Sequence, residues 1–352
     1  MNPERWVRPE VLAMSAYHVP DARGMVKLDA MENPYSLPEE LRRRLAERLA
    51  RVDLNRYPEP NPRALRELIA RTMGVPAGME VLLGNGSDDL IQVIALALAR
   101  PGAAMMFPSP TFVMYSVNAT LTGMRAVAVP LREDFSLDRD AFVARVKELR
   151  PAVVFLAYPN NPTGVLYPPG DVEAIVRAAE GLVVVDEAYH AFAGASFLPR
   201  LAEFPNLVVL RTLSKVGLAG LRLGYLAGAP EWLEQFNKVR QVYNVDVLTE
   251  AAATFALEHL DVLDAQAARI RADRTELARG LASLGVTVFP SSANFLLVRL
   301  ADAPRAFEAL RRQGVLVKNL HPGVPGCLRI TVGTPDENRI LLSALKEALV
   351  HA

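Results

Sequence analysis

A regular alternation of short apolar runs and helical patterns between residues 80 and 227 constrains this chain more than any other feature. The seven apolar runs span residues 81–83, 103–107, 125–129, 152–157, 182–185, 207–210 and 223–227. Patterns with helical spacing of apolar residues lie between most of them. Runs that are apolar throughout are typical of parallel strands covered by helices on both faces. The pattern therefore predicts an α/β fold with a mostly parallel, seven-stranded sheet.

The flanking segments differ from this core, and 352 residues suggest about two domains. Residues 1–35 are rich in proline and are predicted to form an extended arm. A long helical stretch is predicted over residues 230–284, with an alanine-rich middle that can join two domains. The strand and helix patterns beyond it indicate a smaller α+β unit. We expect an N-terminal arm at 1–35, a large domain at 36–265, and a small domain at 266–352 against which the arm packs.

Composition excludes several classes of protein. The 39 basic and 39 acidic side chains give zero net charge, whereas nucleic-acid binders usually carry a basic excess. The single cysteine, Cys327, excludes an intramolecular disulfide and a cysteine-rich metal site, and no histidines show metal-ligand spacing. No apolar run approaches the ~20 residues that span a bilayer, and the N-terminus does not resemble a signal peptide. We expect a cytoplasmic protein with no metal and with neither nucleic acid nor membrane as a partner.

A glycine-rich turn follows the first predicted strand. Gly86 lets the backbone turn tightly, and Ser87 and Asp88 can open the next helix. Such a helix N-terminus presents free N–H groups that bind phosphate. Taken alone, such a segment is more often an ordinary turn.

Two neighbouring strand ends carry chemically distinctive groups. Asp186 and Tyr189 follow one strand, and Lys215 follows the next, beside the hydroxyls of Thr212 and Ser214. A carboxylate at the end of a buried strand is costly unless it has a cationic partner. Ligands of open parallel sheets bind at the carboxyl ends of the strands, so these groups are predicted to share one site.

Asn161 and Arg222 complete a set that pyridoxal 5′-phosphate requires. The aldehyde of this cofactor reacts with a lysine, and its pyridine nitrogen is kept protonated by a buried aspartate. Its phenolate oxygen accepts hydrogen bonds from tyrosine and asparagine. Its phosphate suits a helix N-terminus, hydroxyls and an arginine. The combined set predicts a pyridoxal-phosphate site.

The chain resembles the fold-type I aminotransferases, and within them the histidinol-phosphate aminotransferase family, over nearly its whole length. The matching segments are Glu32-Asn-Pro, Arg56-Tyr-Pro, Gly84-Asn-Gly-Ser-Asp, Pro110-Thr-Phe, Pro159-Asn-Asn-Pro-Thr-Gly, Asp186-Glu-Ala-Tyr, Thr212-Leu-Ser-Lys and Leu328-Arg-Ile-Thr-Val-Gly-Thr.

The resemblance implies roles for these residues. Lys215 would hold the cofactor aldehyde and act as general base, Asp186 would pair with the pyridine nitrogen, and Tyr189 and Asn161 would contact the phenolate oxygen. Phe112, where relatives often have tyrosine, would stack on the ring. The residues that would surround the phosphate are Gly86, Ser87, Asp88, Thr212, Ser214 and Arg222. The loop from Lys215 to Arg222 is one residue shorter than in many relatives.

Tyr57 would reach the cofactor phosphate of a neighbouring subunit, which implies a homodimer. Arg329 would bind the anionic end of the substrate, Tyr17 would close over it, and Asn33 would line the entrance. Lys318 stands where relatives often carry a second arginine, which leaves room for another substrate because lysine does not grip phosphate bidentately. The implied reaction is transamination between histidinol phosphate and 2-oxoglutarate, yielding glutamate, in histidine biosynthesis.

Two groups of alternatives remain open from the sequence. An aromatic amino acid aminotransferase or a threonine-phosphate decarboxylase would share the fold and the cofactor site, so only the anion pocket separates them. A non-catalytic sensor built on this fold is the remote alternative. We expect such a homologue to have lost Lys215 or Asp186, and both are present.

Overall fold

The computed structural model describes residues 2–16 and 19–350. The strands are β1 (Val26–Lys27), β2 (Glu80–Gly84), β3 (Ala104–Ser109), β4 (Arg125–Pro130), β5 (Val153–Ala157), β6 (Leu182–Asp186), β7 (Leu207–Thr212), β8 (Gly224–Gly228), β9 (Thr287–Val288), β10 (Phe295–Arg299), β11 (Val315–Leu316), β12 (Lys318–Asn319) and β13 (Cys327–Thr331). The α-helices are α1 (Pro9–Leu12), α2 (Glu39–Leu49), α3 (Arg63–Met73), α4 (Ser87–Leu98), α5 (Met114–Thr122), α6 (Arg139–Leu149), α7 (Pro169–Ala178), α8 (His190–Ala193), α9 (Pro230–Val239), α10 (Val247–Leu257), α11 (Leu260–Ser283), α12 (Ala303–Arg312) and α13 (Pro335–Val350). Short 3-10 helices occur at Pro3–Arg5, Leu198–Glu203 and Ala219–Leu221, and a π-helical turn at Ser214–Leu218.

The central sheet has seven strands in the order β2-β8-β7-β6-β5-β3-β4. Only β8 runs antiparallel to its neighbours, β2 and β7. The remaining pairs are parallel, which confirms the predicted α/β fold with a mostly parallel sheet. Because β5, β6 and β7 are adjacent and parallel, the segments that follow them emerge at the same edge of the sheet.

Apolar residues bury both faces of this sheet. Every residue of β5, β6 and β7 is buried, as the continuous apolar runs predicted. One face packs against α3, α6 and α7 through residues such as Ile69, Phe142 and Ile175. The opposite face packs against α4, α5 and α9 through Ile91, Tyr115 and Phe236. Helices on both faces thus fix the strand ends where polar side chains emerge.

The C-terminal segment forms a four-stranded antiparallel sheet in the order β12-β13-β10-β9. A third apolar core joins it to α11, α12 and α13. The N-terminal segment takes part in this core through Leu28, and β1 pairs in parallel with β11. The expectation that residues 1–35 are simply extended is therefore wrong in detail, because they contain α1 and β1.

Residues 230–284 form three helices rather than one long stretch. The chain leaves α9 at Arg240, and Tyr243 adopts a left-handed φ of 60°. Asp246 then caps α10 by accepting hydrogen bonds from the backbone N–H groups of Leu248 and Thr249. The expected domain boundary at residue 265 lies within α11. No helix within residues 2–16 and 19–350 is long and apolar enough to cross a membrane.

Candidate active site

A cleft opens where β5, β6 and β7 end. It is lined by Met31, Ser87, Asp88, Phe112, Ala157, Pro159, Asn161, Asp186, Ala188, Tyr189, Thr212, Ser214, Lys215 and Arg222. Each residue that the sequence assigned to the cofactor lines this cleft, except Gly86 and Tyr57. The β6 and β7 ends are in register, with Asp186 opposite Leu210, so the carboxylate and the lysine segment come from adjacent strands.

Lys215 projects from the π-helical turn that follows β7. Its Nζ donates a hydrogen bond to the carbonyl oxygen of Ala30 at 3.1 Å. Burial and, to a smaller extent, the positive charge of Arg329 together lower the pKa of this amine to about 8. More of the amine is therefore in the neutral, nucleophilic form near neutral pH than for an exposed lysine.

Asp186 ends β6, and its side chain is buried. Its Oδ1 accepts a hydrogen bond from the backbone N–H of Ala188 at 3.1 Å, and its Oδ2 accepts one from the Tyr115 hydroxyl at 2.7 Å. Burial raises the pKa of the carboxyl to about 6, while these two hydrogen bonds act in the opposite direction. A cation in contact with Asp186 would compensate for the energetic cost of desolvating the carboxylate.

Tyr115 is a residue of the site that sequence reasoning missed. It lies in α5, within a segment that reads only as a buried helix, and it contacts a residue 71 positions away. A buried tyrosine normally finds a partner for its hydroxyl, which is the one available signal. That signal does not identify the partner.

Tyr189 and Asn161 bring hydrogen-bonding groups to the same cleft. Tyr189 is buried, with its ring edge-on to Phe295 at a centroid distance of 5.1 Å. Burial raises the pKa of its hydroxyl, so the hydroxyl stays protonated and able to donate. Asn161 accepts a hydrogen bond at Oδ1 from Arg329 Nη1 at 2.6 Å, which orients its amide and leaves Nδ2 as the donor.

The opposite end of the cleft lies at the N-terminus of α4. Gly86, the N-cap, has a φ of 84°, and a Cβ there would lie 2.8 Å from Arg222 Nη2. At Gly224 of β8 a Cβ would lie 2.6 Å from the Ser87 backbone nitrogen. Arg222 Nη1 in turn donates to Ser214 Oγ at 3.3 Å. Glycines thus allow a helix start, an arginine and hydroxyls to converge, as an anion site requires.

Asp88 lies in the first turn of α4, with Oδ2 3.6 Å from Arg222 Nη2. Burial raises the pKa of this carboxyl, whereas the charges of Arg222 and Lys215 lower it. A carboxylate repels phosphate, so the useful contribution of Asp88 to an anion site is its backbone N–H.

Arg329 and Lys318 face each other across two strands of the small sheet. They are register partners in β13 and β12, so both side chains lie on the same face. Arg329 is 8% exposed and also donates from Nη2 to the carbonyl oxygen of Asp29 at 2.8 Å. The register therefore places two positively charged side chains on one face of the small sheet.

Two further predicted residues, Asn33 and Tyr57, do not line this cleft. The amide nitrogen of Asn33 donates to the Val216 carbonyl and to Gln266 Oε1, so Asn33 links the arm to the lysine turn and to α11. Tyr57 is 81% exposed and stacks on Tyr243 at 4.7 Å. Tyr17 lies outside the described residues.

The residues present fit pyridoxal 5′-phosphate. A phosphate suits the α4 N-terminus, where Gly86 leaves room beside Arg222 and where Ser87 and Ser214 supply hydroxyls. At the other end, the desolvated Asp186 suits a protonated ring nitrogen. Lys215 lines the same cleft and supplies a primary amine to the aldehyde.

Comparison with known proteins gave consistent matches. The profile of the family described as aminotransferase class I and II matches residues 23–345. The chain is 59% identical to histidinol-phosphate aminotransferase 1 of Burkholderia lata over 99% of both chains. It is 53% identical to histidinol-phosphate aminotransferase of Chromobacterium violaceum, again over 99% of both. Among solved structures, histidinol-phosphate aminotransferase of Sinorhizobium meliloti in complex with pyridoxal-5′-phosphate is 27% identical, with a TM-score of 0.88 over 98% of each chain.

Proposed function

Because this chain belongs to the class I and II aminotransferase family, we propose that it transfers the amino group of histidinol phosphate to 2-oxoglutarate. The prediction of family, fold and cofactor made from the sequence is confirmed, and the cofactor is pyridoxal 5′-phosphate. When bound, it supplies an electron sink that acidifies the Cα–H bond of the amino donor.

The side chains of the cleft would have different roles in the reaction. Lys215 Nζ would hold the cofactor aldehyde and, once released, accept the proton from Cα of the donor. Its lowered pKa, about 8, favours that role because a general base works best near the operating pH. Asp186 would keep the ring nitrogen protonated, and Tyr189 and Asn161 would donate hydrogen bonds to the phenolate oxygen.

The cross-strand pair of Arg329 and Lys318 supports a phosphorylated donor. Histidinol phosphate carries a phosphate dianion at the end opposite its imidazole. Two cations on one sheet face provide enough charge for a dianion, and Arg329 already contacts Asn161 at the cofactor end of the site. The names of relatives at 53–59% identity support the same substrate.

The assembly and location proposed from the sequence accord with this function. We propose a cytoplasmic homodimer in which Tyr57 contacts the cofactor phosphate of the partner. Its exposed position, stacked on Tyr243, leaves the hydroxyl accessible to a second copy. The acceptor 2-oxoglutarate would return the enzyme to its starting state and leave as glutamate.

The experiment that tests this function compares three donors with 2-oxoglutarate as acceptor. Turnover of histidinol phosphate is expected to exceed that of phenylalanine by at least about a hundredfold in kcat/KM, since losing a charged contact costs several kcal/mol. Threonine phosphate tests for decarboxylation through release of carbon dioxide. A clear preference for phenylalanine, or carbon dioxide release from threonine phosphate, would overturn the proposed substrate while leaving the family assignment unchanged.

The anion contact is tested by substitution of Lys318. Lys318→Ala is expected to raise KM for histidinol phosphate about tenfold, with a small effect on kcat, because the phosphate lies away from the reacting carbon. Lys318→Arg should retain wild-type KM or improve it, since arginine binds phosphate bidentately. Lys346→Ala, on the C-terminal helix, is the control. Equal KM values for all four proteins would exclude Lys318 from the phosphate site.

A further inference from the structure

Tyr115 contacts two parts of the proposed cofactor site with one side chain. It is fully buried in α5, and its hydroxyl donates to Asp186 Oδ2 at 2.7 Å. Its ring stacks on Phe155 at 4.7 Å and meets Phe112 edge-on at 5.7 Å. Tyr115 therefore links the carboxylate proposed for the ring nitrogen to the aromatic side chain proposed to stack on the ring.

In this hydrogen bond the Tyr115 hydroxyl can only be the donor. Burial raises the pKa of the Tyr115 hydroxyl well above its ordinary value, and the charge of Asp186 raises it further. A hydroxyl that stays protonated beside a carboxylate can only donate to it. The bond therefore stabilises the ionised form of Asp186 and makes that carboxylate a weaker base.

The other groups around Asp186 act in both directions, and the Ala188 N–H favours the ionised form as Tyr115 does. Ala188 supplies a backbone N–H to Oδ1. The negative charges of Asp88 and Glu187 oppose ionisation of Asp186, and Tyr189 and Tyr167 are further titratable groups beside the pair. Within residues 2–16 and 19–350, Tyr115 supplies the side-chain hydrogen bond to this carboxylate.

We propose that Tyr115 is a positioning residue that holds Asp186 ionised and correctly oriented, so that the proton stays on the cofactor's ring nitrogen. The inference rests on the proposed pairing of Asp186 with that nitrogen. It adds a residue on α5 that acts on the cofactor through Asp186, without contact to the amino donor.

The test uses Tyr115→Phe, which removes the hydroxyl and keeps the ring with its aromatic contacts. Holoenzyme carrying ¹⁵N-labelled pyridoxal phosphate is studied by nitrogen NMR at pH 8. The ring-nitrogen resonance is expected to move toward the position of unprotonated pyridine, because Asp186 becomes a stronger base. Turnover is expected to fall about tenfold, the loss of one hydrogen bond to a charged group, with KM for the donor changed less than twofold.

Two further variants make the outcome decisive. Tyr167→Phe removes another fully buried hydroxyl, one without a hydrogen-bond partner in the described part of the chain, and should leave the resonance unchanged. Asp186→Asn should lose the protonated ring nitrogen. If it does and Tyr115→Phe keeps the wild-type resonance, the inference is overturned while the proposed function stands. If Asp186→Asn also keeps it, the pairing itself is wrong and the inference falls with it.

A substitution that preserves shape covers the case in which Tyr115→Phe does not fold. Tyr115→3-fluorotyrosine keeps the hydroxyl and the ring contacts but makes the hydroxyl a stronger donor. The ring-nitrogen resonance should then move in the direction opposite to that expected for the phenylalanine variant. An unchanged resonance overturns the inference.

Discussion

Burial shifts the pKa values of two cleft residues in the direction that favours the neutral form of each. It lowers the pKa of Lys215 to about 8 and raises that of Asp186 to about 6. Neither shift stabilises the cofactor-free protein, because a charge that loses its hydration raises the free energy of the folded state. Both suit a site that receives a cofactor with an aldehyde and a cationic ring, so stability is given up for function at these two residues.

The covalent role of Lys215 gives the first prediction at the residue scale. Sodium borohydride should fix the cofactor to the wild-type chain at Lys215 but leave Lys215→Ala unlabelled, as read by peptide mass spectrometry. Turnover of the variant should fall by roughly 10²–10⁴-fold, the usual contribution of a positioned general base. Lys147→Ala, on α6, is the matched control and should be labelled at Lys215 as in the wild type. Label on another lysine of Lys215→Ala would contradict the assignment.

The raised pKa of Asp186 predicts how stability of the cofactor-free protein depends on pH. Between about pH 4 and 6 the folded protein keeps a proton that the unfolded chain releases, so the free energy of unfolding falls as pH rises through this window. Asp186→Asn removes this titration, and the amide can still bond to Tyr115 and Ala188. We expect the variant to be stabilised by on the order of 1–3 kcal/mol at pH 8 and by much less at pH 4.

Thermal unfolding of both cofactor-free proteins at the two pH values measures this difference. An equal shift in Tm at pH 4 and pH 8 would mean that Asp186 does not titrate between them. Holoenzyme should behave oppositely, with Asp186→Asn less stable than the wild type, because the carboxylate then faces a cation.

At the residue scale, the sequence predicted the placement of side chains that depends on a local pattern. It did not predict contacts between residues that are far apart in the chain. Lys215 and Asp186 follow apolar strands, so their place at the sheet edge follows from the strand pattern. The Tyr115–Asp186 bond joins residues from two elements whose packing no local pattern encodes. The resemblance assigned Lys318 and Arg329 to one anion site, but their register across the sheet was not predictable, because β12 is only two residues long and leaves no periodic signal.

At the scale of elements, the cofactor-phosphate end of the cleft depends on how closely β8 approaches the start of α4. A Cβ at Gly224 would lie 2.6 Å from the Ser87 nitrogen and 2.7 Å from the Gly86 carbonyl carbon, both backbone atoms. Backbone cannot move aside as a flexible side chain does, so Gly224→Ala should push the α4 N-terminus away from Arg222. We expect the affinity for pyridoxal phosphate to fall by at least tenfold, measured by absorbance titration, since the helix start and arginine no longer converge.

Gly220→Ala is the matched control for Gly224→Ala. Gly220 lies four residues earlier, and a Cβ there meets nothing within 4 Å. Its affinity for the cofactor should equal that of the wild type. Equal weakening in both variants would attribute the effect to general destabilisation rather than to the contact between β8 and α4.

Element prediction was most accurate for the sheet and least accurate after it. The strands of the central sheet follow directly from continuous apolar runs, because burial on both faces requires them. The stretch at 230–284 is helical as predicted, but it consists of the three separate helices α9, α10 and α11. The left-handed Tyr243 and the Asp246 cap separate α9 from α10, and the cap is a local pattern in which an aspartate accepts hydrogen bonds from the next backbone N–H groups.

At the scale of the whole molecule, the described residues leave an apolar surface uncovered near the predicted subunit contact. Leu54 and Tyr57 are exposed on one segment, and Val242, Tyr243 and Leu248 on another. The stacking of Tyr57 on Tyr243 brings these two segments together. A surface of this kind is typical of an interface with a second copy of the chain, which accords with the proposed homodimer.

Hybrid dimers test whether Tyr57 serves the site of the partner. Tyr57→Ala and Lys215→Ala should each be nearly inactive alone. If Tyr57 acts across the interface, a dimer with one chain of each kind contains one complete site, because the first chain supplies Lys215 and the second supplies Tyr57. Random exchange of equal amounts should then restore about a quarter of wild-type turnover, since about half of the dimers are hybrids with one working site each.

A site completed within one chain gives the opposite result. Each site of a hybrid dimer would then lack either Tyr57 or Lys215. Mixing would restore no turnover beyond the summed turnover of the two variants alone. The control mixes Asp186→Asn with Lys215→Ala, two residues of the same cleft, and should stay inactive in either case. Recovery that requires prior unfolding and refolding of the mixture would further show that the two chains separate slowly, as expected for an interface that completes the active site.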